Sequence, residues 1–269
     1  MSPMWALCTG LPRSAYRRPT LVGARRDSAG MEPFFGSAAV RRGDFTRRAL
    51  ARDHLALHRD VYVRRDVEIS ARIRAEAAWL ATGAVLCGQS AAAMFGARWL
   101  DPSAPAEILR ADRHAPPGIV VHSWSVSSDE VCMVAGVDVT TPARTAFDIG
   151  RMSHEAEAVP GVDALMNATR VKAGDVVAVA DAHPRVPGVA RLRRILDLVD
   201  GGAESPQESR LRLILVRSGL PRPETQIEFR DIRVRVDMGW RTWKVAVEYD
   251  GVQHWSDRRQ RSWDIDRIA

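Results

Sequence analysis

Lysine is almost absent from this chain of 269 residues: Lys172 and Lys244 are the two, which leaves arginine as 37 of the 39 cationic residues. Arginine's planar fork of donors suits phosphate, and the net charge of +6 with a pI near 9.9 is compatible with a nucleic-acid partner. The accompanying richness in Ala, Gly and Val also fits a GC-rich coding bias, so basicity alone is weak evidence for DNA. Cysteine is scarce too. Cys8, Cys87 and Cys132 are an odd number at wide spacing, which excludes a disulfide framework or zinc pattern and suits a reducing cytoplasm. No apolar run approaches the roughly 18 residues that a membrane span needs, so no membrane partner is expected. Internal repeats, a P-loop and a dinucleotide fingerprint are missing, and Gly136, Gly150 and Gly161 are wrongly spaced to cradle phosphate. Residues 1–30 lack a signal-peptide pattern. Their Arg-, Pro-, Gly- and Ser-rich, aperiodic sequence reads as a disordered extension, with Met31 a natural start.

What is present is a chain of patterned segments. Residues 31–66 are short and basic: Thr46 is placed to cap a helix, and Leu57 to Val63 suits a strand, so a short winged-helix-like element is expected. In residues 67–200 the stripe Ile69, Ile73, Ala77 and Leu80 predicts a helix ended by Gly83. Val85-Leu-Cys reads as a buried strand and Ser90 as a cap of the next helix. Glu107 to Arg110, Ile119 to Trp124 and Val137 to Val139 fit strands. Thr141 and Pro142 open a helix on which Arg144 and Asp148, four apart, are expected to form a structural ion pair. Helices follow over Val159–Asn167 and Gly174–Ala182, then an amphipathic one burying Leu192, Ile195, Leu196 and Val199. His154 and His183 read as surface or turn residues, and Gly201-Gly202 as a hinge.

The last quarter carries the candidate chemistry. Arg233-Val-Arg-Val-Asp237 and Val245-Ala-Val-Glu248-Tyr-Asp250 alternate apolar and charged residues around a turn with Gly239, the pattern of a β-hairpin. Glu248 and Asp250 share a strand face. A turn centred near Trp240-Arg241 puts Asp237 opposite position 246 and diagonal to Glu248, so the two carboxylates could share a hard cation such as Mg²⁺. Solvated strand acids are the plain alternative. Ser205 and Pro206 open a helix, expected to turn Leu211, Ile214 and Leu215 inward, with Glu208 in its first turn.

The ordered set Ser205-Pro-Gln-Glu208, Gly219 to Gln226, Val236-Asp237, Glu248-Tyr-Asp250-Gly251, His254 and Asp264-Ile-Asp266-Arg267 resembles the very-short-patch-repair endonuclease-like branch of the PD-(D/E)XK superfamily, over residues 204–269. The resemblance implies a restriction-endonuclease-like core of helix, three-stranded meander, helix and final strand, and Mg²⁺- or Mn²⁺-dependent cleavage of DNA. It makes Asp237, Glu248 and the Tyr249 carbonyl metal ligands and Glu208 an acid that orients a metal-bound water; a helix-dipole role for Glu208 serves equally. Asp250 stands where that pattern has Lys. His254 is then the candidate general base or acid, against a loop-closing hydrogen bond. Asp264 and Arg267 are expected to pair with each other. The final strand of that fold is missing at Ala269, so a truncated domain is expected, completed by a homodimer or a partner chain.

Upstream, Asp60-Val-Tyr-Val63, Ser90-Ala-Ala and Thr141-x-x-Arg144-Thr145 resemble antitoxins of the AbiEi type, in which a winged helix precedes a Gly-Val-Tyr signature; here Asp60 replaces the Gly. Arg47, Arg48, Arg52, Arg64 and Arg65 could contact phosphate, or form a solvated face. The expected fold class is α/β, an antitoxin-like α+β region over 67–200 followed by the nuclease-like core. The leading function is metal-dependent DNA cleavage; the alternative is a non-catalytic, antitoxin-like DNA-binding regulator with a degenerate nuclease fold.

Overall fold

The computed structural model describes residues 31–112 and 114–250. Contacts divide the chain into two compact units, Met1–Gly201 and Gly202–Ala269, and both mix helix with sheet.

The first unit begins with β1 (Phe34–Phe35), α1 (Gly36–Arg42), α2 (Arg47–Asp53), β2 (His54–His58) and β3 (Val61–Arg64). Gly43 ends α1 in the left-handed conformation that favours glycine, and Thr46 accepts the Ala49 N–H to start α2. The strands form a small antiparallel sheet in the order β1-β3-β2. Rings of Phe34, Phe45, His54 and Tyr62 pack within it, beside buried Leu50, Val61 and Val63. The sequence suggested one strand from Leu57 to Val63. Instead the chain reverses at Arg59-Asp60, because Asp60 adopts φ +65°. Its carboxylate takes the Ser37 N–H at 2.7 Å and the Ser37 hydroxyl at 2.5 Å. An aspartate thus does the turn's work that glycine does elsewhere, and tethers α1 as well.

Then come α3 (Ala71–Thr82), β4 (Val85–Leu86), α4 (Gly88–Met94), β5 (Ala106–Leu109), β6 (Ile119–His122), β7 (Val131–Val134) and β8 (Val137–Thr140). Four helices follow: α5 (Pro142–Met152), α6 (Glu155–Thr169), α7 (Ala173–Ala182) and α8 (Val189–Leu196). The five-stranded sheet runs β6-β5-β4-β8-β7, parallel at β5/β6 and β4/β8 and otherwise antiparallel. Its core joins Leu86, Ile108, Ile119, Val137 and Val139 to Ala75, Ala78, Ala91 and Met94 of α3 and α4. Small residues let those helices approach the sheet closely, so α3 buries Ala75, Ala77 and Ala78, whereas Ile73 and Leu80 of the expected stripe stay half-buried. Ser90 does not cap α4. The N-cap position is Cys87, and the Ser90 hydroxyl accepts the Glu107 N–H at 2.8 Å. Leu192, Ile195, Leu196 and Val199 are buried, as their spacing predicts.

The second unit holds α9 (Pro206–Arg217), β9 (Glu224–Phe229), β10 (Val234–Trp240) and β11 (Val245–Val247), with the sheet ordered β11-β10-β9 and antiparallel throughout. Two expectations change here. First, α9 buries Glu208, Ser209, Arg212 and Leu213 and leaves Ile214 61% exposed. The helix is rotated relative to its apolar stripe because its inner face carries a polar network. Second, the hairpin loop is four residues, 241–244, so Met238 pairs with Val247. Continued by one residue, that register sets Asp237 opposite Glu248, not position 246. Gly239 is required at this point, since a Cβ there would collide with the Val245 carbonyl.

Candidate nucleic-acid interface and acidic pair

In the N-terminal element, α1 and α2 are joined by a four-residue turn, 43–46, and followed by the β2–β3 hairpin. This is the order of a helix-turn-helix with a wing. Its arginines fall into two groups. Arg42, Arg52 and Arg64 are neutralised by Asp44, Asp53 and Asp66 at 2.5–2.8 Å. Arg65 is spent on carbonyls, bonding Arg52 O at 2.9 Å and Ala51 O at 3.3 Å, which pins the end of α2. Arg47 and Arg48 on the first turn of α2, Arg41 at the end of α1 and Arg59 at the hairpin turn are exposed and meet no carboxylate among the described residues. Uncompensated, exposed guanidiniums on a helix and a wing are what a phosphate backbone recruits.

The neighbouring domain has a different charge arrangement, turned inward. On α5, Arg144 bonds Asp148 at 2.9 Å, Glu130 at 2.8 Å and the Ser125 carbonyl at 3.1 Å. Arg151 also pairs with Asp148 at 2.8 Å and lies 4.0 Å over the Trp124 ring, which stacks on His122. Glu130 further accepts from Ser127 and contacts His183 Nε2 at 2.7 Å. Burial pushes the Glu130 carboxyl up, but Ser127, His183 and Arg144 together outweigh it and hold it below its ordinary value. Burial raises Asp148 against the pull of its two arginines. The Arg144–Asp148 pair follows from the i, i+4 spacing. His183, which ends α7, is not a plain turn residue: it ties α7 to a carboxylate 53 positions earlier, a contact no local signal announces. The network spends these charges mainly on one another and on the backbone, which marks it as structural. Cys87 and Cys132 are buried thiols that form no disulfide.

In the second unit, the expected site residues lie on three elements. Glu208 is buried on α9, and its Oε2 accepts the Glu204 N–H at 2.9 Å and Gln226 Nε2 at 3.0 Å. Burial raises its carboxyl, and nearby Asp237 and Glu204 add to the rise against hydrogen bonds from Glu204 and Ser205. Glu208 takes Gln226, which faces Asp237 across the break in the β9–β10 ladder, so Glu208 and Asp237 are brought to the same part of the sheet. Gln226, which the sequence offered as the end of a motif without a role of its own, sits in β9 at φ +50°, where the ladder skips from Ile227–Val236 to Thr225–Met238. Asp237 Oδ2 accepts the Tyr249 N–H at 2.9 Å. Glu248, Tyr249 and Asp250 follow β11 and are exposed. His254, Gly251, Asp264 and Arg267 lie outside the described residues, as do Cys8 and residues 1–30. Among the described residues, no three His, Cys, Asp or Glu side chains are grouped so as to hold a metal, and no helix is long and apolar enough to cross a membrane.

Residues 83–198 match the family described as the AbiEi antitoxin C-terminal domain; that match ends before Glu208. Two uncharacterised proteins of Mycobacterium tuberculosis, MT2308 of strain CDC 1551 / Oshkosh and Rv2248 of strain ATCC 25618 / H37Rv, are each 30% identical over 201 residues, 72% of this chain and 72% of theirs. With that much of both chains aligned, the protein belongs to one family with these mycobacterial proteins, and its residues 83–198 are similar to the AbiEi antitoxin C-terminal domain.

Proposed function

We propose that the protein is an antitoxin-like DNA-binding regulator that docks through its N-terminal winged element. The observation that carries this is the set of exposed arginines without carboxylate partners on α2 and the hairpin turn, directly preceding a domain of antitoxin type. In this reading α2 enters the major groove, Arg47 and Arg48 reach phosphates or base edges, and Arg59 follows the adjacent backbone. The test is DNA binding across a salt series for the wild type and an Arg47→Ala/Arg48→Ala variant. Loss of two phosphate contacts is expected to weaken binding and flatten the slope of log K against log salt by roughly 1.8, at about 0.9 per contact. A wild-type protein with no affinity for DNA at low salt sinks the reading.

The Glu208–Asp237 juxtaposition favours a second reading, metal-dependent phosphodiester cleavage by the C-terminal unit. Asp237 on β10 and Glu248 just past the end of β11 match the one or two carboxylates that Mg²⁺ or Mn²⁺ takes, with the Tyr249 carbonyl as a further ligand. A bound metal would polarise the scissile phosphate. Glu208, held by Gln226 and the Glu204 N–H, would orient the water, with Asp250 and His254 the remaining candidates nearby in sequence. Supercoiled plasmid nicked by the wild type with Mg²⁺, and left intact by Asp237→Ala, is the outcome that supports it. Plasmid that stays intact with both proteins removes it.

A further inference from the structure

The loop between α4 and β5 holds a tryptophan in a costly conformation. Trp99 has φ +64°, in the left-handed region that glycine enters freely and a bulky residue rarely does. Its side chain is nevertheless 52% exposed, so burial in the core returns little of that cost. The Arg98 guanidinium lies over the indole, 5.3 Å from the ring centroid, which keeps a cation beside a flat apolar surface. Arg98 is exposed as well and meets no carboxylate among the described residues. Backbone strain of this kind persists where the side chain has a task.

Arg74 of α3 places this loop beside the hairpin turn of the winged element. Its Nε donates to the Pro102 carbonyl at 2.9 Å, which fixes the loop just beyond Trp99. Burial, and after it the charge of the same Arg74, holds the His58 imidazole below its ordinary value. The loop and the turn therefore flank one side chain. His58 Cε1 also stands 3.8 Å from where a Cβ on Gly118 would lie, so the turn is seated on the domain that follows. The acids of the two segments are already engaged: Asp60 by Ser37, and Asp101 by the Ser103 N–H and hydroxyl at 2.8 and 2.7 Å. Arg59 and Arg98 are left on either side of Arg74 as exposed cations without carboxylate partners among the described residues.

We propose, on the DNA-binding reading of the winged element, that the α4–β5 loop is a second contact to the same duplex. Arg98 takes a backbone phosphate and Trp99 lays its ring against the adjoining sugars, contacts that position a protein on DNA without reading sequence. The charge calls for an anionic partner, and continuity with Arg59 makes that partner the backbone this arginine follows. Part of the DNA surface thus belongs to the domain after the winged element.

Duplex DNA binding by the full chain across a salt series, with urea unfolding of the same proteins, tests it. Arg98→Ala is expected to weaken binding and to flatten the slope of log K against log salt by roughly 0.9, the share of one phosphate. Trp99→Gly is expected to weaken binding with the slope unchanged, because the ring carries no charge. Its urea midpoint is expected not to fall, since glycine takes φ +64° without strain. Trp99→Phe, which keeps a flat ring, is expected to retain more binding than Trp99→Gly. Wild-type binding that Arg47→Ala/Arg48→Ala weakens and that neither loop variant changes overturns the proposal and leaves the winged-element reading standing. A Trp99→Gly midpoint that drops with the affinity also overturns it, because the ring is then packing. A wild type without affinity for DNA at low salt removes the proposal together with the reading beneath it.

Discussion

At the residue scale, the most consequential side chain is Arg144, which is 2% exposed and satisfies Glu130, Asp148 and the Ser125 carbonyl together. Removing one partner of a buried ion pair leaves the others charged and desolvated, at a cost of about 3–5 kcal/mol. Arg144→Ala is therefore expected to lose about that much in urea unfolding, while Arg47→Ala, on the surface, changes stability by less than about 0.5 kcal/mol. Glu130 gives the same network a pH signature. Its folded carboxyl lies below the ordinary 4.5, so the stability it contributes is complete above that value and is lost as pH falls through the depressed folded one. Asp148, raised by burial, contributes with the opposite sign, so the difference between wild type and Glu130→Gln isolates the Glu130 component. Unfolding free energies measured against pH should converge for the two proteins at low pH. Curves that remain parallel through the acid range would contradict the assignment.

At the scale of elements, the helix from Thr141-Pro142 and the pairing of Arg144 with Asp148 were legible because cap, fixed φ and i, i+4 spacing are local facts. The runs 107–110 and 119–124 announced the strands found at Ala106–Leu109 and Ile119–His122 in the same way, and so did the buried stripe of α8. What could not be read was decided by distant partners or by loop length. Nothing near His183 indicates Glu130, and of Leu211, Ile214 and Leu215 only Ile214 is turned fully outward, because buried Glu208 and Arg212 share the inner face of α9 with the half-buried Leu211 and Leu215. A turn centred near Trp240-Arg241 and a four-residue loop over 241–244 look alike in composition, yet the difference moved Asp237 from a diagonal to a facing position beside Glu248. Gly188 shows a further dependence on tertiary context. It starts α8 at φ +91°, and any Cβ there would collide with the Arg151 carbonyl. Gly188→Ala therefore both strains the backbone and displaces α8 from α5. A loss of about 1–3 kcal/mol from the backbone alone is expected, with the amides of α8 exchanging faster in hydrogen-exchange mass spectrometry. Unchanged protection of α8 would show that the contact yields without moving the helix.

For the whole molecule, charge is used in two ways along the first unit. The N-terminal element leaves Arg41, Arg47, Arg48 and Arg59 exposed, while the domain that follows spends Arg144 and Arg151 on buried carboxylates. Salt should act on the two unequally, because exposed charges are screened beyond about 8–10 Å near physiological ionic strength and buried pairs much less. In the proposed reading, affinity for DNA falls steeply as salt is added, whereas the urea midpoint of the same protein moves little over that range. Arg47→Ala/Arg48→Ala is expected to weaken DNA binding and to leave the midpoint where it is. A midpoint that falls together with the affinity would show that the two arginines support the fold and do not act as the contact.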